Sequence, residues 1–237
     1  MSRRGLADLH IHTTYSDGWP TPRDVVDHAA AETALDVIAI TDHDTIEGAL
    51  RAAEYAARTS ALRVVIGEEV SSRQGHILGL FLTNRIRPGL TAAHTVDLIH
   101  AQGGVAIAAH PFWRTQRLTR RRRRRVVHGV GYLAGELEFD AIEVENSTPG
   151  MALPNLLARR LAEATGITQV GGSDGHILDA IGRGATSFLG TTPRALMTAL
   201  LNGRTRPEKR RYTSLGLVRY MAWGLLHERP RELAAAQ

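Results

Sequence analysis

The stretch Asp8-Leu9-His10-Ile11-His12-Thr13-Thr14-Tyr15-Ser16-Asp17-Gly18 lies near the start of the chain and organises the rest of the sequence. In an extended strand, side chains two residues apart point to the same side, so His10 and His12 project together and their apolar neighbours turn away. The turn chemistry of Ser16-Asp17-Gly18 brings the Asp17 carboxylate back toward the imidazoles. Two imidazoles and a carboxylate on one face are typical of a metal site. A paired histidine also arises by chance, so the weight of this pattern depends on partners elsewhere in the chain.

The composition is that of an ordinary globular protein. The chain has 237 residues, of which 43% are hydrophobic and 22% charged, and this is enough to bury one large α/β core. It has no cysteine, so any metal must be held by His, Asp and Glu, which favours Zn, Mn or Fe. The N-terminus lacks the apolar core of a signal peptide, and no apolar run approaches membrane-spanning length. We therefore expect a cytoplasmic protein with no membrane partner.

The net charge of +5 is concentrated in one segment. Arg114, Arg117 and the six consecutive arginines at residues 120–125 carry eight positive charges with no acid among them, and acids are in excess over the remainder. A block of like charges is usually a solvated surface loop. The same block also suits a flap that attracts phosphate, because arginine binds phosphate through two parallel hydrogen bonds. The sequence leaves both interpretations open.

Strand and helix patterns alternate along the chain. Short apolar runs rich in β-branched residues predict buried strands at residues 35–40, 63–67, 76–82, 105–109, 141–144 and 168–171. Helical periodicity predicts helices starting at Thr21-Pro22 and covering 45–58, 91–102, 126–135, 155–165, 193–201 and 215–226. Such alternation favours a mainly parallel sheet, most simply one barrel-like domain over residues 1–237 whose residues 191–237 form a helical extension.

The polar residues of interest follow the carboxyl ends of the predicted strands, which is the edge where β/α barrels assemble active sites. They are His10, His12, Asp17, Asp42, His43, Asp44, Glu68, Glu69, His110, Asp174 and His176. His76 instead begins its strand, which predicts an irregular or antiparallel strand there. Packing these groups together without cations would leave charges and polar atoms unpaired at a cost of several kcal/mol each. The remaining histidines, at 28, 94, 100, 128 and 227, fall in predicted helices and are interpreted as surface or structural residues.

Six motifs occur in an order that resembles the PHP (polymerase and histidinol phosphatase) family. They are His10-Ile11-His12 with Asp17, Thr41-Asp42-His43-Asp44, Gly67-Glu68-Glu69-Val70-Ser71, Gly75-His76-Ile77-Leu78-Gly79, His110-Pro111 and Gly172-Ser173-Asp174-Gly175-His176, all within residues 6–190. The resemblance implies a distorted, seven-stranded β/α (TIM-like) barrel that holds two or three divalent metal ions. It also implies the hydrolysis of phosphoester bonds.

The resemblance further implies which residues hold the metal ions. His10, His12 and Asp174 would bind one ion together with a bridging glutamate. His76 and His110 would bind a second ion that shares this glutamate.

A third ion would lie between Asp17, His43 and His176. The family pattern places the bridging glutamate two residues after the glycine, which selects Glu69, while Glu68 occupies a position that is usually apolar. The choice between these two glutamates is left to the structure.

The implied activity is that of a metal-dependent phosphoesterase in which metal-activated water cleaves a phosphomonoester or a nucleotide or oligonucleotide phosphodiester. His43, His110 or His176 would protonate the leaving oxygen. Two alternatives stay open: a histidinol-phosphate phosphatase, or a metal-stabilised accessory module without catalysis.

Five further residues belong to this hypothesis. Arg114 or Arg117 would hold a phosphate of the substrate, and Phe112 and Trp113 either stack on a base or pack in the core. Asp42 is expected to orient a ligand histidine.

Overall fold

The computed structural model describes residues 3–114 and 128–226. Across these two ranges the chain forms nine strands: β1 Arg4–Asp8, β2 Val37–Ile40, β3 Arg63–Ser71, β4 His76–Leu80, β5 Val105–Ala108, β6 Ala141–Asn146, β7 Thr168–Gly172, β8 Gly184–Leu189 and β9 Arg206–Lys209. The α-helices are α1 Pro22–Glu32, α2 Glu47–Thr59, α3 Ala92–Ala101, α4 Ala152–Thr165, α5 Pro193–Leu201 and α6 Ser214–Leu226, with short 3₁₀ helices at Gly131–Gly135 and Leu178–Ala180.

All nine strands belong to one sheet in the order β7-β6-β5-β4-β3-β2-β1-β8-β9. The pairs β1–β2, β2–β3, β5–β6 and β6–β7 are parallel, and helices cross between them, as the alternation in the sequence predicts. The strand count is nine rather than seven because β8 pairs antiparallel with β1 and β9 pairs antiparallel with β8. The β9 segment, Arg206–Lys209, is largely exposed and contains a proline, so no apolar pattern identifies it as a strand.

The antiparallel strand predicted at His76 is confirmed. Strand β4 pairs antiparallel with both β3 and β5, and the register sets Ser71 opposite His76. A tight turn joins β3 to β4, in which the Ser72 hydroxyl donates to the carbonyl of Gly75. Gly75 has φ 152°, and a side chain there would collide with the backbone of Gly129. Because of this reversal, the first residue of β4 lies at the same edge of the sheet as the last residues of its parallel neighbours.

The two ends of the sheet nearly close into a barrel. The Thr186 hydroxyl of β8 accepts a hydrogen bond from the Gly171 N–H of β7 at 2.9 Å and donates to the Gly171 carbonyl at 2.8 Å. A side chain at Gly184 would collide with the Gly172 carbonyl, so the close approach of β7 and β8 requires glycine. The predicted α/β barrel is therefore confirmed.

The core lies in layers inside and outside this barrel. The interior is filled by side chains from the strands and is closed at one end by Leu196 and Leu200 of α5. Helices α1 and α2 cover one part of the outer surface, and α3 and α4 cover another. Thr21 caps α1 in a reciprocal pair with Asp24, and Pro22 occupies the first helical turn, as predicted.

Two predictions fall partly or wholly outside the described residues. The helix predicted at 126–135 is wrong in part: residues 128–130 are not helical and Gly131–Gly135 form a 3₁₀ helix, while residues 126 and 127 lie outside the described residues. Arg117 and the arginine run 120–125 lie outside them as well. Among the described residues, no helix combines the length and apolar character needed to cross a membrane.

Candidate metal centre

Backbone hydrogen bonds join the loops that leave the carboxyl ends of the strands. Ile11 pairs with Gly175, so the loop after β1 is fixed to the loop after β7. The Thr41 N–H donates to the Ile11 carbonyl at 2.8 Å, which joins the loops after β1 and β2. A backbone bridge between His43 and Glu69 joins the loop after β2 to β3. The rim of the barrel is thus a continuous hydrogen-bonded arc, and this arc sets the positions of the side chains that project from it.

His10 and His12 point into the centre of this rim. Strand β1 ends at Asp8, and beyond it Leu9 packs in the barrel interior whereas Ile11 packs under α1 and α2, so these two apolar neighbours do not share one side. Both imidazoles are fully buried. The two histidines follow the strand rather than lie within it, and they converge as the sequence predicts, because the Nε2 atom of each lies 3.2 Å from Glu69 Oε2.

The two carboxylate oxygens of Glu69 face two different sets of imidazoles. Oε1 lies 2.9 Å from both His76 Nδ1 and His110 Nε2. Oε2 lies 3.2 Å from the Nε2 atoms of His10 and His12 and 3.3 Å from His43 Nδ1. A single carboxylate whose two oxygens face separate sets of imidazoles has the arrangement expected of a ligand shared between two cations.

Glu68 is buried but turned away from these imidazoles. One of its oxygens accepts a hydrogen bond from the Ile86 N–H at 2.8 Å, and its nearest cation is Arg85, whose Nε lies 4.0 Å from the other oxygen. Burial raises the pKa of Glu68 to about 7. Of the two adjacent glutamates, Glu69 is the one that faces the histidines.

Asp174 lies on the other side of His10 and His12. Its Oδ1 is 3.5 Å from His10 Nε2, 3.4 Å from His12 Nε2 and 3.5 Å from His176 Nδ1. Its Oδ2 accepts hydrogen bonds from Asn146 at 3.1 Å and Thr148 at 3.3 Å. The carboxylate is therefore fixed on one oxygen and presents the other to the imidazoles.

A third group of side chains gathers around Asp17. Its Oδ1 lies 3.1 Å from His176 Nε2 and 3.6 Å from His12 Nδ1, and its Oδ2 lies 3.9 Å from His43 Nε2. The His176 Nδ1 atom donates to the Asp174 carbonyl at 2.9 Å, which leaves Nε2 as the nitrogen with a free lone pair.

All nine predicted ligand residues lie at this one edge of the barrel. Their candidate ligand atoms form four groups, each within 4.8 Å: His12, Asp17, His43 and His176; His10, His110 and Asp174; His10, His12 and Glu69; and His43, Glu69 and His76. Because the groups share members, the arrangement is one continuous cluster rather than separate sites.

Charge inside the cluster is balanced between imidazoles and carboxylates. Burial alone lowers the pKa of a histidine, but Asp174 and Glu69 outweigh it and raise the pKa of His10 well above its usual range and that of His12 to about 10. Burial raises the pKa of a carboxyl, but the imidazoles, His43 and His10 foremost, hold the pKa of Glu69 well below its usual range. Protons on the imidazoles thus supply positive charge that divalent cations can also supply.

Four buried polar atoms in the described part of the cluster have no hydrogen-bond partner: His12 Nε2, Asp17 Oδ1, His43 Nδ1 and His110 Nδ1. Unpaired polar atoms are costly in a protein interior. Burial also lowers the pKa of His43 to about 3, so this imidazole is neutral and able to bind a cation. These donors are nitrogen and oxygen atoms of the kind that Zn, Mn and Fe accept, so the residues fit divalent metal ions.

Glu143 belongs to the cluster but was not identified from the sequence. One of its oxygens lies 3.0 Å from His10 Nδ1, and the other accepts the His110 N–H at 2.8 Å. The first contact directs His10 Nε2 toward Glu69, as carboxylates commonly do behind metal-binding histidines. The available signal was an acidic residue in the middle of a buried apolar strand, where it needs a partner.

Asp42 does not occupy the position expected for it. It accepts hydrogen bonds from the Thr13 N–H and hydroxyl, both at 2.7 Å, and from the Ser16 hydroxyl at 2.6 Å. Ser16 in turn lies 3.4 Å from His12 Nδ1. Asp42 therefore fixes the loop that carries the ligands rather than a histidine directly.

His128 also differs from its interpretation as a residue far from the site. Its ring lies 5.6 Å from that of His76, and its carbonyl accepts the His76 N–H at 2.8 Å. Burial and the neighbouring imidazoles lower the pKa of His128 to about 4. His128 is thus a neutral neighbour of the centre that periodicity alone assigned to a helix.

The residues after His110-Pro111 make aromatic and cation–π contacts with their neighbours. The Phe112 ring packs edge-on against Tyr132 at 5.1 Å, which favours the packing interpretation of Phe112. The Arg114 guanidinium lies over the Trp113 ring at 5.2 Å and is otherwise exposed. The Arg114 charge also helps to lower the pKa of His128, which lies beside His76, so Arg114 is near the centre while its guanidinium is accessible to solvent.

Comparisons with known proteins agree with this geometry. A family model described as PHP-associated matches residues 152–205. An uncharacterised protein of Methanocaldococcus jannaschii is 34% identical over 152 residues, which is 60% of this chain and 81% of that protein. A 3′,5′-nucleoside bisphosphate phosphatase of Chromobacterium violaceum is 46% identical over 77 residues, 31% of this chain and 26% of that protein.

The fold is shared with a two-domain protein from Bacteroides vulgatus that contains a predicted PHP-like metal-dependent phosphoesterase. The TM-score is 0.69 at 22% identity, and the match covers 88% of this chain and 66% of that chain. Fold and site together define a β/α barrel with a cluster of imidazoles and carboxylates at one edge. The chain belongs to the PHP family.

Proposed function

We propose that this protein hydrolyses phosphoester bonds with two or three divalent metal ions, Zn, Mn or Fe, held at the edge of the barrel. The ligands in this proposal are His10, His12, Asp17, His43, Glu69, His76, His110, Asp174 and His176. The observation that carries it is the division of the Glu69 oxygens between two sets of imidazoles, each 2.9 to 3.3 Å away. Such a division serves a pair of neighbouring cations and has no evident purpose in a protein that binds none.

Divalent ions at such a site supply a nucleophile at neutral pH by lowering the pKa of water, and they neutralise phosphate oxygens. The protein's own contribution is position. Glu143 fixes the ring of His10, and the Asp174 carbonyl fixes the ring of His176, so that in each case Nε2 faces the cluster. The proton for the leaving oxygen is assigned to His43, His110 or His176. Of these, His110 holds a proton more readily than the neutral His43, because Glu69 outweighs burial and raises the pKa of His110.

The proposed substrate is a small phosphate ester, a nucleotide or a short oligonucleotide. Support comes from the similarity to a nucleoside bisphosphate phosphatase and from a solved lesion-specific endonuclease of the same fold, with a TM-score of 0.57 at 16% identity. The exposed guanidinium of Arg114, next to the mouth of the centre, would hold a phosphate group. A cytoplasmic location is part of the same proposal.

The adjacent glutamates provide a direct test. Glu69→Gln removes the charge that two cations would share, so we expect loss of at least one bound ion per chain and a fall in turnover of about 100-fold or more. Metal analysis of the purified protein and a screen of phosphomonoesters, aryl phosphodiesters, histidinol phosphate, nucleotides and short RNA and DNA measure both effects. The screen also separates the general phosphoesterase from the histidinol-phosphate phosphatase.

Glu68→Gln is the matched control, because it makes the same chemical change one residue away and faces Ile86 instead of the imidazoles. It should retain the metal content and turnover of the wild type. Wild-type protein that holds its metal and hydrolyses none of these substrates would exclude the catalytic function and favour a metal-stabilised module.

A further inference from the structure

Helix α6, Ser214–Leu226, lies beyond the residues matched by the family model, yet one side of it reaches the candidate metal centre. The buried positions on that side are Gly216, Tyr220 and Trp223, each about one turn from the next. They pack with Ile177 and Ala180, which follow directly after the His176 motif. The sequence pattern describes α6 only as an extension with one apolar side.

Trp223 contacts two of the proposed ligand residues at once. Its indole N–H donates to the Asp17 carbonyl at 2.9 Å. Its ring lies against the His176 imidazole, with 4.2 Å between the ring centroids and 38° between the planes. The Asp17 and His176 side chains are themselves 3.1 Å apart. One side chain of α6 therefore holds the backbone of one proposed ligand and the ring of another.

Tyr220 provides a second connection from the same face of α6. Its ring lies 5.3 Å from that of Trp223, and its hydroxyl donates to the Thr148 hydroxyl at 3.4 Å. Thr148 in turn donates to Asp174 Oδ2 at 3.3 Å. The helix is thus linked to the backbone of Asp17 through Trp223 and, through Thr148, to the carboxylate of Asp174.

Backbone hydrogen bonds hold the loop on either side of Asp17, including one from the Trp19 N–H to the His176 carbonyl at 2.9 Å, while Trp223 binds the backbone of Asp17 itself. The N–H groups of Ser16 and Gly18 both donate to the Thr13 carbonyl at 3.0 Å, which bends the chain on either side of Asp17. The carbonyl of Asp17 is the acceptor that the indole of Trp223 uses. A buried indole N–H requires a partner, and at 9% exposure Trp223 is committed to this one.

We propose that Trp223 is a positioning residue for a divalent cation held by Asp17, His43 and His176. This inference rests on the proposed function. In it, the indole sets the direction of the Asp17 loop through its N–H and the plane of the His176 ring through stacking. Helix α6 is then a wall of the metal centre, and its sequence contributes to the affinity of one ion in particular.

The test measures the number and affinity of bound ions and the fluorescence emission of Trp223. Mn²⁺ is titrated into chelator-stripped full-length protein, with bound ions counted by metal analysis after equilibrium dialysis. In wild type we expect an ion whose affinity falls roughly 10- to 100-fold in Trp223→Phe, which keeps an aromatic ring but loses the N–H, while the affinities of the other ions are unchanged. In a Trp19→Phe, Trp113→Phe background, where Trp223 is the remaining tryptophan, we expect paramagnetic Mn²⁺ to quench the indole emission as that ion binds.

Met221→Ala is the control on the same helix, since Met221 is 66% exposed and faces away from the centre. It should bind Mn²⁺ as the wild type does. Equal affinities for every ion in wild type and Trp223→Phe, or an unchanged Trp223 emission while the ions bind, would overturn the inference. The emission experiment decides the matter alone if Trp223→Phe does not fold. Wild-type protein that binds no divalent ion would instead refute the proposed function.

Discussion

At the scale of single residues, the centre depends on which of two neighbouring carboxylates faces the histidines. Strand alternation places Glu68 and Glu69 on opposite faces, and only Glu69 meets the imidazoles. The histidine motif can be recognised from the sequence because the spacing of its residues sets its geometry. The role of Glu143 cannot be recognised from the sequence, because it depends on a contact with His10, which lies 133 positions away along the chain.

Glu68 makes the stability of the protein depend on pH. Its pKa is about 7 in the folded protein, against an ordinary value of 4.5, so the folded state binds its proton more tightly than the unfolded state. Stability from this group is therefore lost as pH rises from about 4.5 to about 7, by an amount on the order of 1–3 kcal/mol. Glu68→Gln, which has no proton to lose, should match wild type at pH 4.5 and exceed it in stability at pH 8.

Urea unfolding of both proteins at the two pH values, with a chelator present throughout, measures this difference. The metal-site groups titrate equally in both proteins and cancel in the comparison. A Glu68→Gln variant that is less stable than wild type by the same amount at both pH values would show that Glu68 is ionised and well satisfied in the fold.

At the scale of elements, the segments that periodicity describes well are those with one buried face and recognisable ends. The predicted helix at residues 193–201 is α5, Pro193–Leu201, because Thr192 caps it and a proline begins it. Strands β8 and β9 were not predicted, since their place in the sheet depends on the pairing of Arg4–Asp8 with Gly184–Leu189. That pairing joins residues from opposite ends of the chain and leaves no local signal.

Closure of the barrel at β7 and β8 depends on one hydroxyl, which gives a test at this scale. Thr186→Val keeps the shape of the side chain but leaves the N–H and the carbonyl of Gly171 without their partner, so we expect a loss of about 2–3 kcal/mol in the free energy of unfolding. Thr198→Val is the control, because its hydroxyl donates to the Arg194 carbonyl on the exposed side of α5, and it should cost less than about 0.5 kcal/mol. Chemical denaturation measures both, and equal losses would show that Thr186 does not hold the seam.

At the scale of the whole molecule, the proposed ligands come from six places in the sheet. His10, His43, Glu69 and Asp174 follow or end parallel strands, while His76 begins an antiparallel one. The sequence predicts this convergence, because the carboxyl ends of barrel strands meet at one edge. The role of α6 was not foreseen, because nothing in an amphipathic pattern tells which surface a helix will cover.

Removal of metal should therefore lower the stability of the entire chain. A ligand that binds only the folded state stabilises it by about 2.7 kcal/mol at a concentration of 100 Kd. We expect calorimetry to show a single unfolding transition that moves to lower temperature on chelation and returns when metal is restored. Two separate transitions would contradict the prediction that residues 1–237 form one domain, and an unchanged Tm would contradict the binding of metal by the folded protein.

The reversed direction of β4 also determines where the chain can lengthen. Because β4 starts at the rim and runs away from it, residues 81–91 must return the chain to the rim before α3 begins. At the start of this connection the Leu82 N–H donates to the Ile66 carbonyl, and near its end the Gly89 N–H donates to the Ser71 carbonyl. Extra residues inserted there would grow over the mouth of the centre while every proposed ligand stays on its own strand or loop. In this architecture, evolution can enlarge or restrict what enters the site by editing a connection, with the chemistry left intact.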